Sequence, residues 1–287
     1  MHGAGNDYIY IDALTEVPDN LPLLSRQISD RHFGVGSDGL VVILPSERAD
    51  FRMRMFNADG SEAEMCGNAS RCIGKFVFEK GLTEKTEVTL ETLAGIRTLH
   101  LHVSDGEVKE VTVDMGAPEL VPELIPVKSA SSLSKISEKE IINGIEYEIT
   151  AVGMGNPHAI VFVPALFDRL VLGEGPKMEV AEIFPNKANI EFIKIIDLHH
   201  VEMRVWERGS GETMACGTGA CASVVAGVLN GLTDREVYVS LPGVTLKIHW
   251  DERDNHVYLT GSAEFVADGV FYPYSPKEAK EENKKAE

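Results

Sequence analysis

The second half of this sequence repeats the first at an offset of 150 residues, which leaves few ways to fold it. Met53-Arg54-Met55-Phe56 falls on Met203-Arg204-Val205-Trp206, Glu62 on Glu212, and Cys66-Gly67 on Cys216-Gly217. Gly3-Ala4-Gly5-Asn6 falls on Gly153-Met154-Gly155-Asn156, and Gly81-Leu82-Thr83 on Gly231-Leu232-Thr233. Solenoid units run to roughly 20–50 residues, so two copies this long mean two similar domains instead. A chain of 287 residues fits that count, at about 150 residues per domain.

Both copies follow one local pattern. Residues 51–56 and 200–206 alternate as strands do. Each is followed by a polar, Gly-containing turn, then a Cys-Gly, then a helical stretch at 69–79 or 220–229. Gly81 and Gly231 stand where such helices stop. Alternating segments resume at 87–93 and 236–241. The pattern predicts a mixed α/β fold, with strands dominant and one central helix per half. The expected boundaries are 1–115 for the first domain, with 265–275 returning to it, and 116–264 for the second. The charged segment 276–287 reads as a disordered tail.

Both Cys-Gly pairs sit at predicted helix N-termini, where unpaired N–H groups carry about half a positive charge. A thiol there ionises more readily and can act as a base near neutral pH. The glycine after each cysteine lets a ligand approach the backbone. The N–H groups of Gly67-Asn68 and Gly217-Thr218 can then hold a carboxylate. If the halves face each other, two thiols flank one anion site from opposite sides. Such a pair can take a proton from one face of a carbon and return one to the other. Cys72 and Cys221 fall inside the helical stretches and read as core residues. The four cysteines lack the Cys-x-x-Cys spacing of a structural zinc site, so no metal is expected. Two facing thiols also suit a redox sensor, and the residues alone leave that alternative open.

The segments Met1-His2-Gly3-Ala4-Gly5-Asn6-Asp7, Asn57-Ala58-Asp59-Gly60-Ser61-Glu62-Ala63-Glu64-Met65-Cys66-Gly67-Asn68 and Trp206-Glu207-Arg208-Gly209-Ser210-Gly211-Glu212-Thr213-Met214-Ala215-Cys216-Gly217-Thr218-Gly219 resemble diaminopimelate epimerases. Gly155-Asn156-Pro157-His158 and Ala188-Asn189-Ile190-Glu191 match further motifs, and the likeness runs in order from Met1 to about Phe265. It implies two pseudo-symmetric α/β domains, each a curved sheet around a central helix, with the active site in the cleft between them. It also implies interconversion of LL- and meso-diaminopimelate for lysine and peptidoglycan precursors, without pyridoxal phosphate or any other cofactor, by a cytoplasmic homodimer. Cys66 and Cys216 become the acid/base thiols, and the reacting carboxylate lies on Gly67, Asn68, Gly217 and Thr218. Asn6, Asn57, Asn156, Asn189 and Arg208 hold the distal amino acid group, with Glu207 beside them. His158 and Glu207 tune the thiols or bind the reacting amino group.

The sequence departs from that family at three places. Gly39 stands where many members have Gln, Ala69 follows Asn68 where Gly is usual, and few residues precede His2-Gly3, which suggests a trimmed or misassigned start. The nearest rival, the proline and hydroxyproline racemases, usually has His where Asn68 stands and uses a substrate with no distal carboxylate for Arg208.

Charge and composition exclude other classes. Lys+Arg 27 against Asp+Glu 45 gives a net charge of −18, which argues against a nucleic-acid partner. A dicarboxylate then needs a local cation, and Arg208 supplies one. The longest apolar stretch, 159–167, contains Pro164 and falls far short of the ~20 residues of a membrane helix. The N-terminus has no secretory pattern. Four cysteines in a chain of this length suit a reducing compartment.

Overall fold

The computed structural model describes residues 1–128, 138–142 and 144–274, so the expected tail at 276–287 lies outside the described residues. In the first half, Asn6–Asp12 pairs in parallel with Gly39–Leu44, which pairs antiparallel with Phe51–Asn57. Glu87–Thr92 joins Phe51–Asn57 in parallel, and the hairpin Gly95–Ser104 and Glu107–Asp114 follows antiparallel. The second half repeats that series of parallel and antiparallel pairings. Its strands are Pro157–Phe162, Asn189–Asp197, His200–Glu207, Glu236–Leu241, Val244–Trp250 and Val257–Gly261. The alternation read at 51–56 appears as alternating burial along Phe51–Asn57, one face of the strand being turned to the core.

Four α-helices are described: α1 (Leu21–Ser29), α2 (Gly67–Glu79), α3 (Gly175–Glu179) and α4 (Gly217–Leu229). α2 and α4 are the central helices of the two halves and are offset by the repeat distance. α4 is built from small and apolar residues and is buried from Gly219 through Gly227, which lets it lie in the hollow of its sheet. Both helices end the same way: Lys80 and Asn230 return their N–H groups to the last turn, and Gly81 and Gly231 follow at φ 71° and 68°. Both helices start two or three residues earlier than the sequence pattern predicts. Glycines lower helix propensity and hide the start, while Cys66 and Cys216 themselves are the extended N-cap residues.

The two sheets join where Val257–Gly261 pairs antiparallel with Glu107–Asp114. The register of this join locates the pseudo-twofold axis. In the hairpins, Glu87 faces His100 and Glu236 faces His249, which makes Leu99 and Ile248 equivalent. Leu99 faces Val113 and Ile248 faces Leu259, so Val113 and Leu259 are equivalent too. These two residues face each other across the join, so the axis passes through that pair. Leu259 then lies under both central helices: a Cβ added at Gly67 or Gly217 would stand 3.9 or 3.1 Å from the same Leu259 methyl. The two Cys-Gly turns therefore meet at the symmetry axis.

Segment 265–274 lies on the first half. Phe265 packs near Phe76 with ring centroids 6.2 Å apart, Asp268 pairs with Lys80 at 2.8 Å, and Gln27 donates to the Tyr274 carbonyl at 2.8 Å.

Candidate active site

Cys66 and Cys216 open into one cleft of about 1250 Å³, with Gly67, Asn68, Gly217 and Thr218 in the same wall. Asn6, Asn57, Asn156 and Glu207 also line it. Each thiol occupies the N-cap position of a buried helix because the preceding strand and turn deliver the chain there extended, φ −143° at Cys66 and −120° at Cys216. The free N–H groups at the head of each helix are thereby turned toward the cleft.

A hydrogen-bond chain sets the first half-site. Asn6 Nδ2 donates to Asp38 Oδ2 at 2.8 Å. This orients the Asn6 carboxamide so that its oxygen accepts from Cys66 Sγ and from Asn68 Nδ2, each at 3.5 Å. Asn68 Oδ1 in turn accepts from Arg71 Nη2 at 2.9 Å. Asp38 is shared with Arg31, whose guanidinium lies 3.5 Å from Asp38 and 3.7 Å from Asp7.

The second half-site is built differently. Cys216 Sγ accepts from Gly219 N at 3.4 Å and lies 3.6 Å from the Thr218 hydroxyl. Glu207 accepts a hydrogen bond from the Thr213 hydroxyl. His158 is fully buried behind the wall, with Nδ1 2.7 Å from Glu191 Oε1 and Nε2 2.8 Å from Asn156 Oδ1. Under the repeat, His158 and Glu191 replace Tyr8 and Val41, which occupy the same ladder positions.

Local acidification by the helix ends is opposed at both thiols. Burial pushes the Cys66 thiol up, against the pull of the Ala69 and Asn68 N–H groups and Arg71. Burial also pushes Cys216 well above the ordinary thiol range, and the Glu207 and Glu191 carboxylates add to it. The helix-end field falls short of the desolvation cost. Burial likewise raises the Glu207 carboxyl.

Three expected site residues lie off the cleft wall. His158 sits behind it, as above. Asn189 is buried, donating to the Pro157 carbonyl at 3.0 Å and accepting from the Arg208 backbone N–H at 2.9 Å. The Arg208 side chain is exposed and reaches back to the Asn186 carbonyl at 3.3 Å. The turn at 207–211 carries Glu207 inward, and its next side chain points outward. Three residues in or behind the wall were not foreseen. Asp38 is the neighbour of the noted Gly39, and Glu191 stands two residues from Asn189 on one strand face, so period-two alternation carried a signal for it. Thr213 stood unremarked inside the second cysteine motif.

The family model described as Diaminopimelate epimerase matches residues 1–121 and 150–266. The chain is 55% identical over 269 residues to a protein of Acetivibrio thermocellus named diaminopimelate epimerase, covering 94% of this chain and 96% of that one. It is 53% identical over 277 residues to the Desulfovibrio desulfuricans protein of the same name, covering 95% and 96%. Solved structures at low identity share the fold. A hydroxyproline epimerase from Agrobacterium vitis, with bound trans-4-hydroxy-L-proline, superposes with a TM-score of 0.62 at 19% identity, covering 91% of this chain and 86% of that one. A methylitaconate-delta-isomerase gives 0.67 at 14%, covering 94% and 93%.

Proposed function

The chain belongs to the diaminopimelate epimerase family, and from that premise we propose how its cleft inverts one α-carbon. The enzyme is an isomerase acting on diaminopimelate, and the racemase alternative gives way to relatives at half identity that carry the epimerase name.

One observation supports the mechanism above others: two cysteines, each the N-cap of a central helix, line one cleft beside a pseudo-twofold axis. The reacting carboxylate lies on the N–H groups of Gly67-Asn68 and Gly217-Thr218, between the thiols. As the α-proton leaves, negative charge grows on that carboxylate, where the two helix ends hold it best. One cysteine as thiolate removes the proton, and the other as thiol donates one to the opposite face. Desolvation opposes ionisation of both thiols. The substrate's α-ammonium supplies the nearby positive charge that lets a thiolate form.

Asn6, Asn57 and Asn156 hold the distal amino acid group, and Arg208 takes its carboxylate by swinging from the Asn186 carbonyl. Its single long contact there makes the swing inexpensive. Asn189 holds the Arg208 backbone in place for it. His158 and Glu207 act on the Cys216 side. The same reading makes the enzyme a cytoplasmic homodimer: four cysteines in a chain of this length suit a reducing compartment.

Incubation with LL-diaminopimelate in deuterated water tests the scheme. Inversion must incorporate one deuterium at the inverted carbon, and Cys66→Ala and Cys216→Ala must each abolish it. Cys72→Ala and Cys221→Ala must retain it. Substantial turnover in either cleft variant removes the two-base mechanism.

A further inference from the structure

Among the described residues, Arg71 is the largest side chain that is completely buried. It sits on α2, one turn after Asn68. Its Nη2 donates to Asn68 Oδ1 at 2.9 Å and its Nε to the Ser262 carbonyl at 3.1 Å, while Nη1 has no partner. Gly261 makes room: a Cβ there would stand 3.2 Å from the Arg71 Nε. Among the described residues no carboxylate forms an ion pair with this guanidinium. The groups around it that can carry negative charge are Cys66 and Cys72 on its own helix, Tyr10 on strand Asn6–Asp12 and Cys221 on α4. A buried cation without a counter-ion is costly, so its retention calls for a role in what surrounds it.

The repeat shows which half it serves. Cys221 occupies the position equivalent to Arg71, so the second half has no such cation. Behind Cys216 stand Glu207 and Glu191 instead. The two thiols are thus related by the fold and opposed in their charged surroundings.

We propose that Arg71 is the positioning residue of the first half-site, clamping the Asn68 carboxamide toward Asn6 and making Cys66 the thiolate-forming member of the pair. The proposal rests on the two-thiol reading above. The fork of Arg71 fixes which way Asn68 points, because Oδ1 is held and Nδ2 is left to face the Asn6 oxygen. The charge acts through buried protein, where attraction to a thiolate is stronger than in water. Cys66 is faced by Arg71 from its own helix and by Glu207 across the cleft, with the Tyr8 and Tyr10 hydroxyls on the strand below. The long 3.5 Å bond from its thiol to the Asn6 oxygen favours the neutral form, and the Arg71 charge must outweigh it. Cys216 is faced by Glu207, Glu191 and the Gly219 N–H, with His158 paired to Glu191 behind them. Of these groups, the cation facing Cys66 is Arg71.

Iodoacetamide alkylation of the intact enzyme over a pH series, with each site followed by peptide mass mapping, tests this without substrate. The midpoint of the rate against pH is the readout, since rate alone also follows exposure. In the unaltered enzyme Cys66 must show the lower midpoint. Arg71→Met must raise it by at least about one pH unit, a tenfold loss of thiolate at fixed pH, and must leave Cys216 nearly unmoved. Arg71→Lys, which keeps the charge and loses the fork, must keep the low midpoint while raising KM for diaminopimelate several-fold. A higher midpoint at Cys66 than at Cys216 in the unaltered enzyme overturns the proposal. So does a Cys66 midpoint unchanged in folded Arg71→Met. If Arg71→Met does not fold, Arg71→Lys still decides, because loss of the low midpoint there refutes the charge role. Failure of the two-thiol mechanism would appear separately, as epimerisation by Cys66→Ala.

Discussion

Behind Cys216, the Glu191 carboxylate is fully buried, holds His158 by Oε1 and leaves Oε2 without a partner. Its charge faces the thiol and helps push Cys216 up. Glu191→Gln keeps the shape and removes the charge, so the Cys216 thiolate becomes easier to form. The limb of kcat/KM that falls with pH, where Cys216 gives up the proton it must donate, should therefore move to lower pH, while kcat falls as His158 loses the charge of its partner. A pH-rate profile unchanged in this variant would remove Glu191 from the catalytic apparatus. The Arg208 guanidinium is exposed in its resting position, so an ion pair with a distal carboxylate would have to offset the loss of that hydration. Arg208→Met should raise KM for diaminopimelate by roughly 10–100-fold, as for a charged hydrogen bond of about 1.5–3 kcal/mol, with thiol alkylation unchanged. Lysine, lacking the distal carboxylate, should be a poor substrate; equal turnover of lysine would free Arg208 of any part in specificity.

The first turns of α2 and α4 are offset copies, yet position 69 is Ala and position 219 is Gly. Ala69 is buried without penalty because Val41 occupies the neighbouring strand position in that half. In the second half that position is Glu191, and a Cβ at Gly219 would lie 2.6 Å from its Oε1 and 3.1 Å from Cys216 Sγ. Neither atom can retreat easily, since one is hydrogen-bonded in the core and the other caps the helix. Gly219→Ala should cost about 1–3 kcal/mol by overpacking and should also displace the thiol. Urea denaturation and kcat then fall together. Ala69→Gly should cost only ~0.5–1 kcal/mol, the penalty of glycine within a helix. A Gly219→Ala enzyme of full stability and activity would show that the first turn has slack that this packing denies it. The Ala69 departure is thus a consequence of how the duplicated halves diverged behind their helices.

At the scale of the whole molecule, burial raises all four thiols, Cys72 to about 11, and Tyr8 and Tyr10 shift upward for the same reason. Unfolded thiols ionise near pH 8.5, so above that pH the unfolded chain gives up protons that the folded chain keeps. Stability is therefore full below about pH 8.5 and falls as pH rises through the folded values. The melting temperature should drop between pH 8 and 10.5, and less steeply in Cys72→Ala; equal slopes in both proteins would contradict it. The duplication, the two central helices and the pairing of Cys66 with Cys216 were legible in the sequence because the repeat is ungapped through those segments and the Cys-Gly turns carry local signals. The strand register beyond them was not, since the second hairpin slips by one residue against the repeat and only ladder hydrogen bonds reveal it. Nor could the sequence place Arg71 in the core, because an arginine in a helix reads as surface until two helices and a strand close over it. The opposition to thiol ionisation was hidden for the same reason. A helix N-terminus is a local feature of the chain, while the burial that outweighs it exists only once both halves have met across Leu259.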